Sequence, residues 1–341
     1  MSGASRVAPL AALLACAAVG PIVPEACAQA APPPPVTIGG LTISGFVQAD
    51  SLVSVGDDAD ATDTVDTFGI PRARVGLSGE LTPKISWYLQ GDFANVTNDG
   101  RVLRDAYVQF TANPQFAVRG GQMVAPFSLE RLTSYQKLEL IDRSIVGVAL
   151  APSRDMGLMV FNVKPWRGWM TYAAAVINGS GQNTADTNSA KDVVGRVTSR
   201  VPKVDRLTVG FNVQAGEQPQ GDRQRVGVDL NYEAPHYRVA VERVAQRRDY
   251  AARVDTTGFT VIGAYKHKAA HLRPHYAGYE LAARYVDVDD DGVTLESHQV
   301  QAGGTYFVTP QLRVMTNVLL PIGDDQPRHT VRWWSRLQVF F

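Results

Sequence analysis

The stretch Val226-Gly227-Val228-Asp229-Leu230-Asn231-Tyr232 alternates an apolar residue with a polar or small one along its whole length. Successive side chains of an extended strand point to opposite faces, so the valines, Leu230 and Tyr232 share one face, and Asp229 and Asn231 share the other. Segments of this kind recur along the chain to its last residue. We count about sixteen of them, each of about 10 residues, and about 9–11 tilted residues are enough for a strand to cross a bilayer.

The connections between these segments alternate in length. Short turns rich in Pro or Asn stand at residues 81–84, 113–114, 202–205, 234–236 and 309–310. Longer connections stand at residues 56–66, 124–154, 178–191, 217–222, 287–295 and 322–328. Residues 266–274 are an exception, since a long connection stands there in place of a short turn. This pattern predicts an all-β fold, a transmembrane antiparallel β-barrel of about 16 strands with short periplasmic turns and long external loops.

Aromatic residues cluster where the segments meet the short turns, as in the girdles that flank the apolar band of outer-membrane barrels. They are Phe110, Phe116, Trp166, Trp169, Tyr237, Tyr306 and Phe341. The last segment, residues 329–341, alternates down to a C-terminal Phe. Such an ending resembles the signal that outer-membrane assembly machinery reads. We therefore expect the protein in the bacterial outer membrane.

The first thirty residues have the features of a secretory signal peptide. Arg6 precedes an apolar stretch at residues 7–23, and the small residues Ala28 and Ala30 follow. We expect cleavage after Ala30, with a retained N-terminal anchor as the alternative. Residues 31–40 then form a Pro-rich periplasmic spacer, and residues 41–341 form the barrel. Both cysteines of the chain lie in the signal peptide, so we expect neither disulfides nor thiolate metal sites in the mature protein.

The charge of the chain is balanced, with 33 Lys+Arg against 33 Asp+Glu, which argues against a nucleic-acid-binding protein. If the apolar strand faces contact lipid, the opposite faces line the channel. The candidate lumen-lining arginines are Arg72, Arg74, Arg119, Arg196, Arg200, Arg225, Arg238, Arg284, Arg313, Arg332 and Arg336. Fewer acids share these faces, namely Glu80, Asp92, Asp105, Asp229, Glu242 and Glu280. A positive excess favours anions, and arginine suits phosphate or carboxylate. The alternative is that these groups pair with one another and only stiffen the barrel.

The longest connection, residues 124–154, is the third on the external side. It contains Arg131, Lys137, Arg143 and Arg154, which are our candidate pore and constriction residues. It also contains many apolar side chains that need a surface to pack on. Because a sixteen-stranded barrel is otherwise a wide aqueous hole, we expect this loop to fold into the pore and narrow it. A surface loop at a trimer contact is the alternative.

Two patterns resemble metal sites, but we predict neither a metal nor a cofactor. Residues 287–292 resemble the start of a calcium-binding loop, yet the position that requires an acid is His298. His267, His271 and His275 have a helical spacing of ligands, but Pro274 and the strand that follows argue against a helix. We find no GxSxG motif and no Ser/His/Asp arrangement, so we do not expect an enzyme.

Several motifs resemble those of the phosphate-selective porins O and P. They are residues 71–83 (PRARVGLSGELTP), 103–108 (LRDAYV), 119–134 (RGGQMVAPFSLERLTS) and 154–157 (RDMG). The resemblance implies a sixteen-stranded, usually trimeric barrel whose third loop enters the pore. It also implies an anion preference assisted by a ladder of arginines and a lysine cluster at the constriction. Lys137 is the only lysine of this loop, so the sequence departs from the family at that cluster.

Together these features predict an outer-membrane porin for passive diffusion of small hydrophilic solutes, preferring anions such as phosphate. We expect a homotrimer surrounded by lipid and lipopolysaccharide. The alternatives are a non-selective general porin, in which acids neutralise the arginines, and a barrel that acts as an adhesin or structural protein of the outer membrane.

Overall fold

Sixteen long antiparallel strands follow one another round a closed barrel, which confirms the predicted fold. The structure is a computed structural model that describes residues 36–38, 40–55, 65–96, 100–186, 188–267, 278–292, 297–322 and 331–341. The predicted signal peptide, residues 56–64 of the connection at 56–66, and the histidines His271 and His275 lie outside the described residues.

The strands are named in chain order. They are β1 (Val36–Ile38), β2 (Leu41–Val55), β3 (Val65–Thr82), β4 (Ile85–Asp92), β5 (Leu103–Asn113), β6 (Phe116–Val124), β7 (Arg154–Phe161), β8 (Met170–Ile177), β9 (Asp192–Arg200), β10 (Leu207–Gln218), β11 (Gly221–Glu233), β12 (Tyr237–Asp249), β13 (Arg253–His267), β14 (Gly278–Asp290), β15 (Ser297–Thr309), β16 (Leu312–Pro321) and β17 (Val331–Phe340). Short helical turns are formed by Phe93–Val96, Leu129–Leu132 and Val146–Leu150. Among the described residues, no helix is long and apolar enough to cross a membrane.

The barrel closes where the last strand meets the first long one. From β2 to β17, each strand pairs with the next, and β17 pairs with β2 in an antiparallel register that places Val331 opposite Val55 and Phe340 opposite Phe46. Phe341 extends the seam, because its backbone exchanges hydrogen bonds of 2.7 and 3.1 Å with Gly45. The alternating C-terminal segment therefore becomes the strand that completes the barrel.

The two faces of the strands have opposite character, as the alternation predicts. In β11, Val226, Val228 and Leu230 are 46%, 46% and 42% exposed in the isolated chain. Asp229, between them, is 2% exposed. All seven predicted girdle aromatics are exposed as well, at between 41% and 48%. The outer surface is thus apolar and the inner surface polar, the reverse of a soluble protein.

Two predicted long connections are shorter than expected. The connection predicted at 287–295 loses residues 287–290 to β14, which ends at Asp290. Residues 217–222 were predicted as a long loop, yet β10 runs to Gln218 and β11 begins at Gly221, and Glu217 pairs with Asp222. Their polar side chains belong to strand ends rather than to a loop. The predicted spacer, residues 31–40, is also not wholly separate, because β1 pairs with β2 from Val36 to Ile38. The unusual connection at 266–274 lies largely outside the described residues.

Candidate pore and constriction

The connection between β6 and β7 runs through the interior of the barrel. Phe127, Val146 and Leu150 are fully buried and belong to one apolar cluster with Val244 of β12 and Val286 of β14. The loop also bonds to side chains of β3, β10, β12, β14, β16 and β17, all on the faces opposite the exposed apolar residues. A segment that reaches the inner faces of so many strands lies inside the barrel.

Ion pairs tie three acids of this loop to the wall. Arg284 contacts Glu130 at 2.7 Å, Arg238 contacts Glu139 at 2.7 Å, and Arg72 contacts Asp142 at 3.1 Å. These partners are largely shielded from water, so the pairs are stronger than exposed ones. The ion-pair partners of these acids are therefore residues of the wall rather than basic residues of the same loop.

Backbone groups of the loop are also held by the wall. The Glu242 carboxylate accepts hydrogen bonds from the N–H groups of Leu129 and Glu130, at 3.2 and 3.1 Å. These N–H groups begin the helical turn Leu129–Leu132 and have no partner within it, and a carboxylate is the acceptor that suits them. Arg313 donates to the carbonyl oxygens of Tyr135 and Leu138, at 3.0 and 3.2 Å. The loop is thus a fixed part of the pore.

Two glycines of the wall make room for the loop. A Cβ on Gly258 of β13 would lie 2.5 Å from Leu150 and 2.9 Å from Val146. A Cβ on Gly227 of β11 would lie 3.3 Å from the Phe127 ring. Close approach of a neighbouring chain is one of the reasons for a glycine in a strand. These positions mark where the loop rests on the barrel wall.

The predicted constriction residues fall into two groups. Arg131 and Arg143 lie half-buried on the loop, and Lys137 is exposed. Arg154, by contrast, begins β7 and donates two hydrogen bonds to Asp105, at 2.8 and 3.0 Å. The positive charge of Arg154 is therefore locally balanced, whereas neither Arg131 nor Arg143 has a carboxylate partner among the described residues.

The surroundings of Arg131 are strongly positive. Burial and then the charge of Arg143 lower the pKa of Arg131 to about 10, and Arg154 and Arg104 act in the same direction. Burial also lowers the pKa of Arg143, against the opposing effects of Tyr135 and Glu130. Both groups remain charged at neutral pH and neither is bonded to a carboxylate among the described residues, so a passing anion would meet positive charge here.

Most of the predicted lumen arginines are ion-paired. Arg74 contacts Asp92 at 2.7 Å, Arg196 contacts Asp229 at 2.6 Å, and Arg336 contacts Asp50 at 2.7 Å. Arg72, Arg238 and Arg284 bind the acids of the loop described above. Within the described part of the chain, three others bond only to amides or backbone: Arg119 to Gln109, Arg225 to Gln214 and Gln246, and Arg313 to Gln338 and the loop. Arg200 and Arg332 are exposed at opposite ends of the barrel.

Tyr135 is a residue of the site that the sequence did not indicate. The guanidinium carbons of Arg72 and Arg143 lie 3.5 and 3.9 Å from the centre of its ring, and that of Arg74 lies 5.2 Å away. Cations over an aromatic face are attracted by the ring quadrupole. Tyr135 therefore holds together arginines of the wall and of the loop, a role that only their three-dimensional arrangement reveals.

The acidic stretch at 287–292 has its side chains partly on the outer face of the barrel. Asp287 and Asp289 lie there beside His298, and the possible ligand atoms of the three residues are within 4.8 Å of one another. His298 Nδ1 is 2.5 Å from Asp287 Oδ1. The group is remote from the pore and plays no part in the arrangement above.

Comparison with known proteins places this architecture in context. The family described as phosphate-selective porin O and P matches residues 42–233 of the chain. No curated protein matches the sequence.

Among solved structures, the chain is similar to the outer-membrane channel DcaP of Acinetobacter baumannii, with a TM-score of 0.63 and 14% identity over 88% of this chain and 97% of that one. For Salmonella typhi OmpF, solved with daunomycin, the TM-score is 0.65 and the identity is 12%, over 88% of this chain and 97% of that one. For the trimer form of in-vitro folded OmpT from Vibrio cholerae, the TM-score is 0.59 and the identity is 12%, over 89% of this chain and 100% of that one. At these identities the likeness concerns the fold.

Proposed function

Because the chain belongs to the phosphate-selective porin O and P family, we propose that this outer-membrane channel passes small hydrophilic solutes by passive diffusion and prefers anions such as phosphate. The observation that carries the anion preference is the state of Arg131 and Arg143. Both lie on the loop inside the barrel and neither has a carboxylate partner among the described residues. Uncancelled positive charge in a narrow pore attracts anions and repels cations.

The proposed preference for phosphate is supported by arginine side chains rather than by lysines. The planar guanidinium donates two parallel hydrogen bonds to a phosphate or carboxylate. Lys137 is the only lysine of the loop and is exposed, so the lysine cluster that the family resemblance implies is replaced here by arginines. We propose Arg131, Lys137 and Arg143 as the constriction residues and Arg154 as a paired residue at its edge.

A non-selective porin is the second candidate, and the ion pairs of the wall favour it. Arg74, Arg196 and Arg336 are each neutralised by an acid within 2.7 Å. If these pairs dominate the field in the pore, small cations and anions pass equally. The two candidate functions differ in which arginines determine the electrostatic potential in the pore: those of the loop, which have no bonded carboxylate among the described residues, or those of the wall, which are ion-paired.

The reversal potential in a planar bilayer under a KCl gradient separates these candidates. We expect a potential of the chloride sign, and a shift towards zero when Arg131 and Arg143 are both changed to Gln. Lys84→Gln, in the exposed turn between β3 and β4, removes a charge outside the pore and is the matched control. A wild-type potential near zero would instead support the non-selective porin. Block of the chloride current by added phosphate would support a phosphate site.

The assembly and maturation of the protein are proposals as well. We propose a homotrimer in contact with lipid and lipopolysaccharide, consistent with the trimer form reported for OmpT of Vibrio cholerae. We also propose a signal peptide at residues 1–30, a short periplasmic segment at residues 31–40 and a barrel at residues 41–341. The mass of the mature chain from outer membranes tests the cleavage after Ala30. The family and the fold support a channel rather than an enzyme or an adhesin.

A further inference from the structure

A chamber with aromatic walls lies beside the loop, between the loop and strands β4 to β9. Its volume is about 390 Å³. Tyr88, Tyr107 and Phe161 contribute aromatic rings to its lining, and Leu132 of the loop contributes an apolar group. The volume falls at the lower end of the roughly 300–1,000 Å³ typical of small-molecule sites. A chamber of this composition is unusual in a pore whose wall is otherwise lined by amides and charged groups.

Arg119 supplies the positive charge of this chamber. Its guanidinium carbon lies 4.0 Å from the centre of the Tyr107 ring and 4.9 Å from that of Phe161. Its one hydrogen-bond acceptor among the described residues is Gln109 Oε1, at 2.8 Å, and its Nε has no partner there. A guanidinium has five N–H donors, so Arg119 keeps donors for an incoming anion.

The other charged groups of the chamber are already engaged. Asp105 accepts two hydrogen bonds from Arg154, and Arg196 donates to both carboxylate oxygens of Asp229. Arg119 is therefore the lining cation with capacity for a ligand. Its position against two rings distinguishes it from Arg225, which also has no carboxylate partner in the described chain but is flanked by the amides of Gln214 and Gln246.

We propose that this chamber binds small carboxylates that carry an aromatic ring, with the carboxylate on Arg119 and the ring against the aromatic wall. The inference rests on the proposed anion preference and specifies a class of solute for it. Inorganic phosphate would use the charge of Arg119 but leave the rings without a partner. A neutral aromatic compound would contact the rings without the anion that Arg119 requires. Only a solute with both groups uses both halves of the site.

Block of the KCl current in a planar bilayer tests the proposal with four probes: benzoate, cyclohexanecarboxylate, acetate and inorganic phosphate. We expect benzoate to block at concentrations several-fold lower than acetate and phosphate, and lower than cyclohexanecarboxylate, because the ring packs against aromatic faces. Arg119→Gln should weaken the benzoate block about tenfold, since it removes a charge-assisted hydrogen bond. Phe161→Leu should weaken the benzoate block while leaving the acetate block unchanged.

Arg225→Gln is the matched control, because it also removes a lumen arginine without a carboxylate partner but away from the aromatic rings. It should leave the ratio of benzoate to acetate block at the wild-type value. Arg119→Lys keeps the charge but not the planar guanidinium, and it serves if Arg119→Gln gives no channels. It should weaken the benzoate block by less than the tenfold expected for Arg119→Gln. Equal block by benzoate and acetate in the wild-type channel would overturn the proposal, as would a benzoate preference that survives both Arg119 and Phe161 substitutions. The reversal potential in KCl is measured in the same bilayers, so loss of the aromatic preference is distinguished from loss of the anion preference.

Discussion

Replacing Gly258 with Ala should push the loop away from the barrel wall. The new Cβ would lie 2.5 Å from Leu150 Cδ1 and 2.9 Å from Val146 Cγ2, whereas carbon atoms in contact prefer about 3.5–4.0 Å. One of the two sides must therefore move by about 1 Å. Both side chains are fully buried. Overpacking of this kind costs about 1–3 kcal/mol.

The direction of the movement determines its effect on the channel. Gly258 belongs to the inner face of β13, so the methyl group displaces the turn Val146–Leu150 towards the pore axis. We expect a lower single-channel conductance and a lower free energy of unfolding in urea, with the barrel still formed. Both are measured on the purified protein, the first in planar bilayers and the second in detergent micelles.

Gly263→Ala is the control for this experiment. Gly263 lies in the same strand, but nothing is within 4 Å of the Cβ that it would gain. The substitution carries the same change in backbone propensity without the contact to the loop. If Gly258→Ala and Gly263→Ala have the same conductance and the same stability, the loop does not rest on β13 as described.

Three further substitutions or conditions test other contacts. Arg284→Gln should destabilise the protein by about 3 kcal/mol in urea unfolding, because it leaves Glu130 without its 2.7 Å partner. Adding Glu130→Gln should recover part of this loss. A double variant no more stable than Arg284→Gln would contradict the ion pair. Gly45→Ala should lower the refolding yield, since its Cβ would lie 2.3 Å from the Arg74 carbonyl oxygen and 2.5 Å from the Phe341 ring, whereas Gly69→Ala, with open space, should refold normally. The anion preference should weaken at strongly alkaline pH, because burial and the charge of Arg143 lower the pKa of Arg131, and Arg131→Gln should lack this part of the titration in reversal-potential measurements.

The barrel itself could be predicted because its signal is local. Val226, Val228 and Leu230 alternate with polar residues since lipid covers one face of the strand and water or the loop covers the other. The alternation therefore appears within a few residues and needs no knowledge of the rest of the chain. The connection at 217–222 was misjudged for a related reason. Its polar residues extend the strands beyond the apolar band, where neither face needs to be hydrophobic, so a paired strand end resembles a loop in sequence.

The candidate site was only partly predictable because its contacts join distant parts of the chain. The sequence indicated which arginines face inward, but not which of them are neutralised. Arg74 lies opposite Asp92 in the β3–β4 register, so the turn between these strands implies that pair. Arg196, in contrast, reaches across β10 to Asp229 of β11, and Arg284 reaches a loop that leaves the wall on the other side. The contacts of Tyr135 depend on the path of that loop and have no counterpart in any local pattern.

The closing seam has a consequence for the order in which the barrel is built. Of the described long strands, only β17 and β2 pair without being neighbours in sequence. Joining ends separated by a segment about thirty times longer than a ten-residue hairpin loop costs about 3 kcal/mol more in chain entropy. A chain that stops before β17 can still form each preceding hairpin, but its first long strand keeps an unpaired edge. The barrel is therefore closed only once β17 has been made and exported, since its pairing with β2 leaves neither of these strands with an edge open to another molecule.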